Sequence, residues 1–250
     1  MILWLTNTHG RYRCLQRNLR CFLDQDFKGD SVMYVCNTGT PLKLPEDFVL
    51  PENKKVYIDN SSMMNFLTLG QKYIHALKMA KFLYPDITVI THADDDDIFL
   101  PNHLSQGSLG INMAYSRKQL AYKPYFSYFR ERDPEGNVLI RKLHNNFEPS
   151  IFINVSHVLE HLYSKASIKH HLKWLNPLLE DNQIFVNPDG VSTLIYNWGD
   201  DWQTYKLSGK QQDTLGNYQM GQVLSKDMGK GILIPSEDNS YYYKQIENIK

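Results

Sequence analysis

Residues 87–91, Ile-Thr-Val-Ile-Thr, run almost directly into four consecutive aspartates, Asp94, Asp95, Asp96 and Asp97, and then into Ile98, Phe99 and Leu100. An unbroken run rich in β-branched side chains makes a strand buried on both faces, as in a parallel sheet covered by helices. Aspartates enclosed by two apolar segments cannot all lie on a freely solvated loop, so part of the tetrad sits at the carboxyl end of a buried strand. Carboxylates this close repel one another and resist joint ionisation unless a cation or buried donors offset the repulsion. A divalent metal is the simplest remedy, because Mg²⁺ and Mn²⁺ take oxygen ligands, commonly one or two carboxylates completed by water and phosphate oxygens. Ligands of open α/β sheets bind beyond the carboxyl ends of the strands. The tetrad therefore predicts a metal–diphosphate site, with Asp94 and Asp96 on one side if the chain stays extended.

The sequence before the tetrad supplies the strands such a sheet needs. Residues 2–6 form a short apolar run ending in Asn7-Thr8-His9-Gly10, and residues 11–24 carry Leu15, Leu19, Phe22 and Leu23 at helical spacing. Residues 31–36 are β-formers that stop at the turn cluster Asn37-Thr38-Gly39-Thr40-Pro41, which completes a βαβ unit. A short strand is expected at residues 55–58. Tyr73, Leu77, Ala80 and Tyr84 then mark one face of a helix over residues 69–83, which Pro85-Asp86 ends.

Beyond Pro101 the pattern changes. Aromatic, strand-like residues 122–130 and a return strand at 138–143 flank the hairpin turn Asp133-Pro134-Glu135-Gly136-Asn137. Residues 159–179 read as helical with a break, and residues 193–198 as a strand. With no repeat, no low-complexity linker and no evident boundary, the 250 residues make one α/β domain, a mostly parallel sheet flanked by helices followed by a mixed half.

Charge and cysteine usage exclude more than they identify. The chain carries 27 basic and 27 acidic side chains, which argues against coating nucleic acid or an anionic membrane through net charge. Cys14, Cys21 and Cys36 are odd in number and lack zinc spacing, the usage of buried thiols in a reducing compartment, so a cytoplasmic location is expected. No apolar run approaches the roughly 20 residues of a membrane span. A glycine-rich phosphate loop of the Walker type is missing, which counts against phosphoryl transfer by the same aspartates.

Four segments in order carry a resemblance. Thr6-Asn7-Thr8-His9-Gly10-Arg11, Phe22-Leu23-Asp24-Gln25-Asp26-Phe27, Leu69-Gly70-Gln71-Lys72-Tyr73, and Asp94 through Pro101 with His103-Leu104 resemble the landmarks of GT-A fold, family-2-like nucleotide-sugar glycosyltransferases. The match covers about residues 1–104, which the resemblance makes the nucleotide-sugar-binding half, with residues 105–250 as the acceptor-binding half. It implies transfer of a sugar, from a UDP-sugar, to an acceptor hydroxyl with Mn²⁺ or Mg²⁺ and with inversion. It places Thr6, Thr8 and Arg11 near the donor nucleotide. Asn37 stands where the family has a base-contacting Asp, keeping an acceptor and a donor but not the charge. By the same resemblance Lys72 helps hold the nucleotide, Asp94 contacts the ribose with Asp95 beside it, Asp96 binds the metal, and Asp97 supports the loop or reaches the acceptor.

An inverting transfer also needs a base for the acceptor hydroxyl. The family draws it from an acidic pair at a helix start well after the metal motif, and Glu180-Asp181 is the pair in that window. Counting back from Tyr196-Asn197-Trp198 puts the helix start nearer residues 168–171, so His170 or His171 is the alternative. Asp200 and Asp201 remain open. Trp174 and Trp198 could stack on a sugar or a base, but aromatics in apolar runs are more often core. The same bland reading covers His92, His103 and the terminal Tyr241-Tyr242-Tyr243. The acceptor is either a surface glycan or a hydroxymethylated base in DNA, the basic-aromatic residues 117–132 being compatible with the latter. Two competing classes stay in view: an inactive nucleotide-sugar-binding module and a metal-dependent phosphoryl-transfer enzyme.

Overall fold

The computed structural model describes residues 1–8, 11–38, 40–61, 67–132, 137–145, 148–161, 172–197, 231–236, 238–247 and 249. The chain opens with strand β1 (Ile2–Thr8), helix α1 (Tyr12–Leu23), β2 (Ser31–Asn37), β3 (Lys54–Asp59), α2 (Leu69–Leu83) and β4 (Val89–His92). After the aspartates come β5 (Ile98–Phe99), α3 (His103–Ser116), β6 (Ala121–Pro124), β7 (Phe126–Arg132), β8 (Val138–His144) and β9 (Phe152–Asn154). The remaining elements are α4 (Val155–His161), α5 (Leu172–Glu180), β10 (Ile184–Asn187), β11 (Leu194–Asn197) and α6 (Ser240–Lys244).

Two sheets result. The larger has seven strands in the order β10-β6-β9-β4-β1-β2-β3, with every pairing parallel except the two made by β9. The smaller has four, β5-β11-β7-β8. The expected mostly parallel α/β sheet is what forms. Alternate residues of β1 enter different cores, as a strand with helices on both faces requires. Ile2 and Trp4 pack with Leu15 and Leu19 of α1, Leu104 of α3 and Phe99 of the small sheet. Leu3 and Leu5 pack with Tyr73 and Leu77 of α2, Val158 of α4 and Trp174 of α5. Each fully buried aliphatic side chain contributes about 1.5–3 kcal/mol of transfer free energy, so both faces must be covered for β1 to be stable.

Local signals set the helices. Helix α2 starts at a capping box, in which Thr68 Oγ1 accepts from Gln71 N at 3.3 Å and Gln71 Oε1 accepts from Thr68 N at 2.9 Å. Helix α3 lies flat on the large sheet because Gly107 and Gly110 face rings. A Cβ at Gly107 would come within 2.0 Å of Phe152, and one at Gly110 within 2.3 Å of Tyr122.

The predicted strand over residues 122–130 is two strands. Tyr125 breaks the run, so that β6 joins the large sheet and β7 the small one. The β7–β8 hairpin forms with Arg132 opposite Val138, its turn at 133–136 lying outside the described residues. Among the described residues no helix is long and apolar enough to cross a membrane, and Cys14, Cys21 and Cys36 are buried free thiols.

Candidate functional site

Strand β4 ends at His92 and β5 begins at Ile98, so the aspartates form the link between the two sheets. The link is a turn, not the extended segment expected from the sequence: Asp97 N donates to Asp94 O at 3.2 Å. Exposure nonetheless alternates, with Asp94 and Asp96 partly open and Asp95 and Asp97 buried at 0% and 2% exposure. The expected shared side for Asp94 and Asp96 therefore survives, with the burial of their neighbours as its cause.

Each buried aspartate is tied to a different sheet. Thr8 at the end of β1 donates its hydroxyl to Asp95 Oδ2 at 2.6 Å. Asn197 at the end of β11 donates its backbone N–H to Asp97 Oδ1 at 2.9 Å. The countercharge the sequence reading assigned to a metal is supplied in part by the chain itself. Arg11, just ahead of α1, reaches Asp95 Oδ1 with Nη2 and Asp96 Oδ2 with Nη1, the latter at 2.6 Å. A planar guanidinium can serve two carboxylates at once, which an ammonium cannot do with fixed geometry.

A second layer holds the main chain of the turn. Asn18 Nδ2 donates to Asp94 O at 3.0 Å, and Arg17 Nη2 to Asp96 O at 2.6 Å. Asn197 Nδ2 donates to Asp96 O at 3.0 Å and accepts at Oδ1 from Arg130 Nη1 at 2.9 Å. Tyr73 Oη meets Asp94 Oδ1 at 3.3 Å, and its ring stands edge-on to His92, which stacks on Trp174 with centroids 5.5 Å apart. Burial pushes the Asp95 carboxyl up to about 6 against the pull of Arg11. Burial, with repulsion from Asp96 and Asp94, holds the Asp97 carboxyl well above the usual carboxylate range. Burial thus works against ionisation of both inward carboxyls, while Arg11 works for it at Asp95.

Thr8, Arg11 and Asp94–Asp97 come together as expected, and Thr6, Asn37 and Lys72 occupy other positions. Thr6 is buried and donates to Asn18 Oδ1 at 3.2 Å, so it supports the layer behind the turn. Asn37, paired with Thr8 across β1 and β2, donates to Thr40 O and to Asn60 Oδ1, each at 2.8 Å, and braces the following loop. Lys72 lies in the first turn of α2, half-buried, its ammonium pKa lowered by burial while Cys36 on β2 pulls the other way.

Glu180 and Asp181 require a correction. Both are exposed at the carboxyl end of α5. The strand that follows, β10, begins level with Ala121, which is level with Ile153 and through it Ile90. They therefore stand at the amino-terminal edge of the parallel strands, opposite the aspartate turn. The physical reason is the direction of α5, which runs antiparallel to β10 and so presents its start, not its end, to the site side. Trp174 in its early turns marks this by stacking on His92. His170, His171, Trp198, Asp200 and Asp201 lie outside the described residues.

Sequence reasoning passed over Arg17, Asn18, Arg130 and Asn197. A signal existed for two of them: Cys14, Arg17, Asn18 and Cys21 share the buried face of α1, and polar side chains on an apolar stripe need partners. For His92, His103 and Trp174 the core reading holds. His103 is fully buried, joins Thr193 Oγ1 at 2.8 Å and Thr91 Oγ1 at 3.4 Å, and is held by burial down to about 3.

Among the described residues there is no group of three or more His, Cys, Asp or Glu placed to hold a metal by themselves. The open-side donors are two carboxylates, Asp94 and Asp96. That set fits a hard cation that takes one or two protein oxygens and draws the rest from phosphate and water.

No profile of a known protein family matches the chain, and no curated protein matches it in sequence. Solved structures do match. S. aureus TarS residues 1–349 in complex with UDP superpose with a TM-score of 0.53 at 14% identity, over 90% of this chain and 70% of that one. The same TarS fragment in complex with UDP-GlcNAc gives 0.55 at 13% identity, over 98% and 70%. The longer TarS chain gives 0.54 at 14% identity, over 100% of this chain and 46% of that one. These TarS structures share the fold described above, which is the GT-A fold.

Proposed function

We propose that this protein transfers a sugar from a nucleotide-sugar, a UDP-sugar, to an acceptor hydroxyl with inversion at the anomeric carbon. The observation that carries the proposal is the aspartate turn at the carboxyl ends of a parallel sheet, in which Asp94 and Asp96 face outward while Asp95 and Asp97 are anchored inward. Support comes from the fold shared with TarS, which is solved with UDP and with UDP-GlcNAc.

In this reading Asp94 orients the ribose, and Tyr73 steadies one of its oxygens. Asp96, with Asp94 beside it, would hold Mg²⁺ or Mn²⁺, and the ion when bound offsets the charge that builds on the departing diphosphate. Arg11, already bridging Asp95 and Asp96, keeps the turn from opening under its own repulsion before donor arrives. In the same reading Lys72, in the first turn of α2, helps hold the nucleotide, and Asn37, at the end of β2, contacts the base. For the base we propose His171, the alternative the sequence offers, since Glu180 and Asp181 stand at the opposite edge of the sheet. A neutral imidazole can take the acceptor proton near physiological pH.

The acceptor we assign is a glycan hydroxyl. Tyr125, just ahead of β7, is in mutual ring contact with Phe126 of β7 and His144 of β8, Lys142 lies over Phe126, and Tyr125 and His144 are exposed. Such rings suit the C–H face of a sugar. A hydroxymethylated base in DNA would instead show steep salt dependence of acceptor binding.

The test is thermal stabilisation by nucleotides and nucleotide-sugars with and without Mn²⁺. A ligand at a hundred times its Kd adds about 2.7 kcal/mol to folded-state stability. A Mn²⁺-dependent shift with UDP and UDP-sugars is expected. No shift with any nucleotide sinks the reading, and a shift without turnover on any acceptor favours a binding module.

A further inference from the structure

Both supports of the Asp96 carbonyl lead to one short helix far along the chain. Arg17, wholly buried on α1, donates Nη2 to Asp96 O at 2.6 Å and Nη1 to Tyr242 Oη at 3.2 Å. The second support runs from Asn197 Nδ2 through Asn197 Oδ1 to Arg130, which is 1% exposed. Arg130 then donates Nε to Gln245 Oε1 at 2.9 Å. The Tyr242 ring serves both cations, with Arg17 Cζ at 5.1 Å and Arg130 Cζ at 5.5 Å from its centroid. Desolvated guanidinium groups gain most from an aromatic face, because little water competes for the charge.

The segment bearing Tyr242 is laid along α1 by its own contacts. Tyr12 Oη donates to Ile232 O, Ser236 N to Gln16 O at 3.1 Å, and Asn239 Nδ2 to Arg17 O at 3.3 Å and to Cys21 Sγ at 3.2 Å. Arg17 is therefore gripped twice by this segment, at its carbonyl by Asn239 and at its guanidinium by Tyr242. Neither contact reaches the open side of the turn.

We propose that Tyr242 is a positioning residue of the aspartate turn. By holding Arg17 and Arg130 it pins the Asp96 carbonyl from two directions, so that the Asp96 carboxylate stays directed outward. The consequence for function rests on the reading of Asp96 as the metal and diphosphate ligand. The consequence for the turn does not.

The experiment compares Tyr242→Leu, which removes ring and hydroxyl, with Tyr242→Phe, which keeps the ring. Amide hydrogen exchange is read at Asp97 and Asn197, whose N–H groups close the turn, and across β1 and β2 as internal controls. In Tyr242→Leu both turn amides are expected to exchange on the order of tenfold faster with the controls unchanged. The Mn²⁺ concentration giving half of the UDP-induced thermal shift should rise alongside, and Tyr242→Phe should recover most of both effects. Unchanged exchange at Asp97 and Asn197 overturns the proposal, as does uniform acceleration that includes β1 and β2. Should Tyr242→Leu not fold, Tyr242→Met, which keeps bulk without the ring or the hydroxyl, takes its place: faster exchange at Asp97 and Asn197 with unchanged controls sustains the proposal, and no change there overturns it. If the wild type shows no UDP shift, the functional reading falls, and the exchange pattern still decides whether Tyr242 holds the turn.

Discussion

The large and small sheets differ in what builds them, and they meet at the aspartate turn. The large sheet rests mainly on parallel pairing, and its central strands β1, β2 and β4 are buried on both faces. The small one is assembled from a two-residue strand, a hairpin and β11, and hangs on side-chain bonds at its junction. Asp95 belongs to the first through Thr8, and Asp97 to the second through Asn197. Deeper in, His103 spans the same junction, bonded to Thr91 of β4 on one side and to Thr193 beside β11 on the other. A site placed on such a seam can be stiff towards one sheet and adjustable towards the other.

Changing the open side of the seam should have the largest effect. Asp96→Asn is expected to lower metal-dependent sugar transfer by about a hundredfold or more, because an amide is a poorer ligand for a hard cation, with the melting temperature held. Normal turnover without added metal would remove Asp96 from that role. Next comes the large-sheet anchor. Arg11→Gln leaves Asp95 buried without its cation and should cost about 3 kcal/mol in denaturant unfolding; a loss below about 0.5 kcal/mol would show that the ion pair is incidental.

The core of the seam should respond to pH. His103 takes its proton readily only on unfolding, since burial lowers its folded pKa to about 3. Its contribution to stability is complete above about pH 6.5 and is lost as the pH falls through the range between the two values. Between pH 7 and pH 5 this amounts to about 2 kcal/mol. His103→Asn should flatten that part of the stability profile, and an unaltered slope would contradict the assignment. The smallest effect is expected at the small-sheet anchor. Asp97→Asn keeps the oxygen that accepts from Asn197 N and should change stability by less than about 1 kcal/mol. Asp95→Asn, which weakens bonds from both Thr8 and Arg11, should cost more, and the reverse order would invert the comparison of the two sheets.

The same contrast separates what the sequence discloses from what it hides. Strand β4, the aspartates and helix α2 carry their own signals, in β-branched runs, charge and a 3.6-residue period, and α2 forms over Leu69–Leu83 as its periodicity predicts. The cluster of Thr8, Arg11 and Asp94–Asp97 is legible for that reason. Strands β9 and β10 have three and four residues, too few to show a period, and their places depend on partners distant in the chain. Tyr125 divides what reads as one strand because its N–H donates to Asn187 at the end of β10 and its carbonyl accepts from Asn145 just past β8. Glu180-Asp181 looks like a catalytic pair in sequence, but helix direction, which only packing decides, carries it to the opposite edge. Arg11 as countercharge was equally hidden, since the pairing spans 85 residues.

The order in which these contacts enter the chain has its own consequence for a protein made from its amino end. Thr8, Arg11 and Asn18 precede the turn by 76 to 87 residues, so a cation and two of its donors have already been synthesised when the aspartates emerge. Asn197 follows Asp97 by 100 residues, and Tyr242 comes later still. A nascent chain can therefore offset part of the charge of the turn early and acquire its final alignment late, at the high loop-closure cost of distant contacts. Until then the ribosome-bound protein holds a turn whose charge is partly compensated but whose main chain is not yet aligned.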